Sequence, residues 1–176
     1  MRNHKIMDIK RFAQLEKAVV NAGIGKLAVN TANFPDKVLP DLMKEFSLIT
    51  AQKPSTRPAR RSISSFKLRE GVVVGLTATL RGVRMRQFLH RLIAVVIPRV
   101  RDFRGVAVKS IDGRGNLTIG FREHIVFPEV NPETSKVGFG LQVTLVPRSA
   151  FKDREAAIEA YRAMGIPLEK EKAKKR

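Results

Sequence analysis

Gly23-Ile24-Gly25-Lys26-Leu27-Ala28 closes a β-branched run, Ala18-Val19-Val20-Asn21-Ala22, with the G-x-G-x-x-A spacing that can hold a dinucleotide pyrophosphate. That chemistry needs a helix N-terminus behind the glycines. Val29 to Pro35 are poor helix formers, so the pattern reads as a turn at a strand end. Lys26 is followed by Leu rather than Ser or Thr, which excludes a P-loop. Asp102 and Asp112 flank Arg104 and Lys109, but nothing separates their environments as an acid–base pair requires. They read as turn formers and ion-pair partners. His4, His90 and His124 are too scattered for a metal site. His124 falls in an expected strand, and no spacing names a Ser or carboxylate partner for it. There is no Cys, which removes disulfide frameworks, zinc fingers, iron–sulfur clusters and thiol nucleophiles. No cofactor is expected.

Binding chemistry is denser. The stretch Arg57-Pro58-Ala59-Arg60-Arg61-Ser62-Ile63-Ser64-Ser65-Phe66-Lys67-Leu68-Arg69 lies just beyond Lys53. Lys53, Arg57, Arg60, Arg61, Lys67 and Arg69 suit phosphate contacts. Ser62, Ser64 and Ser65 can donate to phosphate or 2′-hydroxyl oxygens, and Phe66 can stack on an unpaired base. The competing reading is a solvated loop with Ile63 and Phe66 tucked into the core. Across 176 residues, 34 Lys and Arg face 16 Asp and Glu, a net charge of +18. Residues 51–122 alone hold 16 basic and 3 acidic groups. The excess therefore belongs to the folded body rather than to a loose arm, which points to a shaped surface for a polyanion, RNA foremost.

The elements that must position these residues come from periodicity. Apolar residues make up 43%, enough for a real core. The expected organisation is one domain over residues 1–168 and a charged, disordered tail over 169–176. No apolar run reaches the ~18 residues of a membrane span and the N-terminus lacks a secretory core, so a soluble cytoplasmic protein with no membrane partner is expected. Strands are expected at 18–22, 72–80, 117–121, 124–127 and 141–146. In the second of these, Leu76, Ala78 and Leu80 alternate with Thr77 and Thr79. Val38 to Ile49, Met85 to Ile97 and Asp153 to Met164 carry helical spacing, with Pro98 and Gly165 as stops. Pro40 is tolerable only near the start of the first helix. Asp112 to Asn116 is a turn, and Asn131 to Gly140 reads as a mobile loop. Residues 57–69 show little regular pattern. The expected fold class is α+β: an antiparallel β-sheet with helices packed on one face, in the manner of RRM-like or ferredoxin-like sandwiches.

Several long strings, in order, resemble bacterial-type large-subunit ribosomal protein five, the 5S rRNA-binding family. They are Leu15-Glu16-Lys17-Ala18-Val19-Val20-Asn21 with Gly23-Ile24-Gly25, Leu48 to Pro54, Arg61 to Gly71, Pro98 to Gly105, Ser110 to Asn116, and Phe127-Pro128-Glu129. The resemblance runs from about Leu15 to Leu168. It implies a structural constituent of the large ribosomal subunit, not an enzyme. It implies 5S rRNA recognition on the sheet, at positions matching Asn21, Gln52, Phe66 and Thr79. Asn and Gln offer donors and acceptors, Thr a hydroxyl, and Phe an aromatic surface. It further implies attachment to 23S rRNA in the central protuberance, beside neighbouring proteins. The basic loop 57–69 would face peptidyl-site tRNA, and a bridge would reach small-subunit protein thirteen through loops such as 131–140. The chain departs from the family where Ala51 replaces a usual Gly, Ile111 a usual Phe, and Pro147-Arg148 a polar pair. Only about a dozen residues precede the first motif, where the family usually carries a helical segment. Two alternatives remain at this point: a general RNA-binding or RNA-chaperone module, and a nucleotide-dependent enzyme resting on Gly23 to Ala28.

Overall fold

The structure, a computed structural model, describes residues 9–101 and 103–169. Asp102 and the tail beyond residue 169 lie outside the described residues. Five strands form an antiparallel sheet in the order β2-β3-β1-β5-β4. They are β1 Leu15–Gly23, β2 Ser55–Pro58, β3 Val73–Arg81, β4 Leu117–Phe121 and β5 Leu141–Pro147. Alternation fixes the faces. Ala18, Val20 and Ala22 of β1 and Leu76, Ala78 and Leu80 of β3 are buried, while Asn21 is half-buried and Thr79 exposed. The expected α+β fold is found. By internal packing the chain divides into two compact units, and every strand but β2 has residues in both.

The first unit comprises Val19–Leu80 and Gly120–Val143. A six-residue helix, α1 Gly25–Asn30, does follow β1, against the expectation from Val29 to Pro35. It buries no residue, and the amide of Ile24 donates to the carbonyl of Val74 at 2.9 Å. The glycine pattern thus serves a strand-to-helix turn clamped on β3. A π turn, Phe34–Val38, leads into α2 Leu39–Thr50, which places Pro40 in its first turn, where no amide is needed. Leu42, Phe46 and Ile49 of α2 enter the core.

α2 ends on Ala51, held left-handed at φ 51°. There the Cβ crowds the backbone, and glycine is the residue that relieves it. Ala51→Gly is expected to stabilise the protein by about 0.5–1 kcal/mol, the relief outweighing the added unfolded-state entropy. A thermal melt checks this; an unchanged or lower midpoint would contradict it.

The second unit comprises the chain up to Ala18, Arg81–Ile119, and the chain from Thr144. Its main helical run is α3 Gly82–Arg91, a π turn Leu92–Val96 and α4 Ile97–Arg99. Met85, Phe88, Leu89, Leu92, Ile93, Val96 and Ile97 are buried, as their spacing required. The helix α5 Arg154–Ala163 is capped by Asp153, whose Oδ1 accepts from the Ala156 amide at 2.7 Å. Asp112 is a turn former, as expected. Its carboxylate accepts from Asn116 Nδ2 at 2.7 Å and from the amides of Asn116 and Arg114 at 2.8 and 2.9 Å. These bonds, that of the Asn116 side chain above all, hold its carboxyl below the usual range. The buried Tyr161 hydroxyl donates to the Gly115 carbonyl at 2.6 Å, tying α5 to the same turn.

Candidate nucleic-acid interface

All four candidate recognition residues lie in the first unit. Asn21 and Thr77 face each other from β1 and β3. Thr77 Oγ1 donates to Asn21 Oδ1 at 2.6 Å, which leaves Thr77 only 7% exposed. The Asn21 oxygen turns to Thr77, and Nδ2 has no hydrogen-bond partner among the described residues. Thr79, two residues along β3, is exposed on that face. Thr77 was not among the expected site residues, although its place opposite Leu76 in the alternation is visible in the sequence. Gln52 sits in the turn after α2, where its carbonyl accepts from Thr50 Oγ1 at 2.9 Å. Three residues on, Ser55 pairs with Thr77, so β2 delivers Gln52 to the same end of β3. The bond between Thr77 and Asn21 thus sets Asn21 and Thr79 on neighbouring strands, with Gln52 three residues before the β2–β3 pairing.

Phe66 is not among them. The stretch 57–69 is not the irregular loop expected but a long hairpin. Ser55, Thr56, Arg57 and Pro58 pair with Thr77, Leu76, Gly75 and Val73. Beyond the sheet, the Ala59 amide donates to Val72 and the Gly71 amide to Ala59. Ile63 and Leu68 then exchange both backbone bonds, at 2.9 and 3.1 Å. The tip is a 3₁₀ turn, Ser64–Phe66, followed by Lys67 at φ 51°. The sequence hides this because Pro58 and the serines break strand alternation, while the pairing is supplied from Val72 and Val73. Ser62 Oγ, accepting from the Glu70 amide at 2.9 Å, stiffens the legs. Phe66 is 69% exposed and Ile63 42%, so the core reading of these two residues is overturned. Lys53, Arg57, Arg60, Arg61, Ser62, Ser64, Lys67 and Arg69 are all exposed on or just before this finger. Cationic legs with an aromatic tip suit phosphate contact and base stacking together.

His124 needs a second correction: it opens a 3₁₀ turn, His124–Val126, not a strand. The reason is tertiary. Its side chain is wholly buried and stacked on Phe139, with ring centroids 4.1 Å apart. Nδ1 accepts from the Phe139 amide at 3.4 Å, so Nε2 carries the proton toward Glu45 Oε2 at 2.9 Å and Ser135 Oγ at 3.0 Å. Ser, His and carboxylate thus meet, from positions that no spacing links. This is not a catalytic triad, because both partners crowd one ring nitrogen while a backbone amide occupies the other. The network instead pins the segment after β4 and the 131–140 loop to α2.

Burial holds the His124 imidazole below its ordinary 6.5, although Glu45 pulls the other way. The fold therefore keeps the neutral ring, whereas the unfolded chain takes up a proton near pH 6.5. Its contribution is complete above that pH and is lost as pH falls through the folded value. Thermal midpoints are expected to drop between about pH 7.5 and 5.5, and by less in His124→Gln; equal drops in both would refute the assignment.

Two family models cover the chain. "Ribosomal protein L5" matches residues 9–69, and the model for the C-terminus of the same ribosomal family matches residues 73–168. The chain belongs to the ribosomal protein L5 family. Curated relatives named large ribosomal subunit protein uL5 agree. That of Halothermothrix orenii is 43% identical, over 93% of this chain and 91% of its own length. That of Rubrobacter xylanophilus is 46% identical, over 90% and 84%. That of Oceanobacillus iheyensis is 40% identical, over 95% and 88%. Members of this L5 family are structural, non-enzymatic proteins of the large ribosomal subunit in the bacterial cytoplasm. The hairpin spans the end of the first matched region and the gap before the second, and Asn21, Gln52 and Phe66 fall in the first while Thr79 falls in the second.

Proposed function

We propose that this L5 protein binds 5S rRNA through Asn21, Gln52 and Thr79 on the sheet and Phe66 on the hairpin, and helps attach it to 23S rRNA in the central protuberance. The observation that carries the reading is the Thr77–Asn21 bond, which presents an amide group with no partner among the described residues, on the same face as the exposed Thr79 hydroxyl. Such uncharged groups read 2′-hydroxyls and base edges, while the arginines supply attraction without sequence preference. The stiff basic finger suits a second, single-stranded or tRNA ligand. We take it to face peptidyl-site tRNA, and the 131–140 loop to face small-subunit protein thirteen.

The test is binding of 5S rRNA against an unrelated tRNA at matched ionic strength. A clear preference for 5S rRNA is expected, steeply weakened by salt. Equal affinity would favour the general RNA-binding alternative. Within the same assay, Arg60→Ala is expected to weaken both RNAs alike and flatten the salt slope by about one. Phe66→Ala should lower affinity by about 1–3 kcal/mol with the slope unchanged.

A further inference from the structure

The largest charge feature not used above lies in the second unit. Between Arg81 and Ile111 the described residues include no Asp or Glu, while Arg84, Arg86, Arg91, Arg99, Arg101 and Arg104 are all present. The one acid of that stretch, Asp102, lies outside the described residues and three positions beyond Arg99. Three of these arginines fall into a row. Arg84 and Arg91 are seven residues apart, which returns a helix to nearly the same side after two turns. Arg99 is eight residues further on. In an unbroken α-helix it would drift away from the row, but the π turn Leu92–Val96 winds less per residue and brings it back. Exposure agrees: Arg84 and Arg99 are exposed and Arg91 is half-buried, whereas Met85, Phe88, Leu89, Leu92 and Val96 are buried. Arg91 lies 6.0 Å over the Phe88 ring, which limits its swing. By helix rise the three arginine positions stand about 10 Å apart along one helical run.

We propose that this row is a second RNA-binding surface, separate in residues from the sheet and hairpin, and that its ligand is the sugar–phosphate backbone of an A-form duplex. The proposal rests on the chain being a ribosomal protein. A duplex is favoured over single-stranded RNA because the row has no exposed aromatic: its uncovered large apolar neighbours are Val83, at 64%, and Val95, at 39%. Without a stacking platform, unpaired bases gain nothing here, whereas evenly spaced cations suit a regular backbone recognised by shape. The two surfaces then divide the work: an aromatic-tipped finger and uncharged sheet residues on one unit, a bare arginine row on the other.

The test uses the full chain and three variants. The first is Arg84→Gln/Arg99→Gln, both at exposed positions so that the fold is kept. The second is Lys109→Gln/Lys152→Gln, which removes the same charge from exposed positions of the same unit. The third is Asn21→Ala. Each is titrated with a blunt RNA duplex of about 16 base pairs, a single strand of the same length, and 5S rRNA. The arginine variant is expected to bind the duplex about tenfold more weakly, with the salt slope reduced by about two. It should bind 5S rRNA within about threefold of the parent. The lysine variant should lose much less duplex affinity. Equal losses in the arginine and lysine variants would overturn the proposal by making the effect one of total charge. So would an arginine variant that binds the duplex like the parent, or that loses 5S rRNA to the same extent as the duplex. Failure of Asn21→Ala to weaken 5S rRNA would count against the sheet site alone and leave this surface standing.

Discussion

Asn21→Ala is expected to weaken 5S rRNA binding by about 1–3 kcal/mol, roughly five- to 150-fold, with the salt dependence unchanged. The size follows from what the side chain does. Its oxygen accepts from Thr77 at 2.6 Å, which holds the side chain in place, so its donors need little further ordering. Removing it leaves RNA acceptors unpaired and also strips the nearly buried Thr77 hydroxyl of its acceptor. Two companions separate these effects. Thr79→Val keeps the shape of an exposed strand residue and deletes only a hydroxyl, so about 1 kcal/mol is expected. Thr77→Val leaves the Asn21 amide in place but free to rotate, so a loss smaller than that of Asn21→Ala is expected. Filter binding at one fixed salt concentration measures all three. If Asn21→Ala bound like the parent, the sheet assignment would be wrong.

The second large effect is on stability. His124→Ala is expected to cost about 3 kcal/mol, since it opens a cavity beside Phe139 and removes the partner of three groups at once. For a chain of this size that lowers the thermal midpoint by roughly 6–12 °C. The damage should be local as well as global. Ser135 and Phe139 hold the 131–140 loop through His124, so trypsin should cut after the exposed Lys136 faster than in the parent. His124→Gln, which keeps a donor, should lose less. A variant that melts with the parent and resists trypsin equally would remove the network's proposed role.

Much of the scaffold was legible because local rules and the tertiary fold agree there. The alternation of Leu76, Ala78 and Leu80 with Thr77 and Thr79, the stripe from Met85 to Ile97, and the turn at Asp112 each depend on neighbours within a few residues. The errors share a different cause. The finger at 57–69 pairs across the chain with Val72 and Val73, which strand alternation within 57–69 cannot register. The turn at His124 depends on Glu45, far away in the chain. The short helix α1 forms despite poor propensity because its start is fixed by a bond to Val74.

The sequence by itself determined that this is a basic, cysteine-free α+β protein. Its motif strings, too long and too well ordered to be accidental, led to the L5 family. Those properties follow from composition, short-range periodicity and residue identity. Only the tertiary structure decided that Phe66 stands out on a stiff finger, that Thr77 aims the Asn21 amide, and that Ser135, His124 and Glu45 form a clasp rather than a catalytic site. It alone also showed the π turn between Arg91 and Arg99, on which the proposed arginine row depends. Each of these depends on which distant groups meet and at what angle, and one-dimensional spacing does not carry that information.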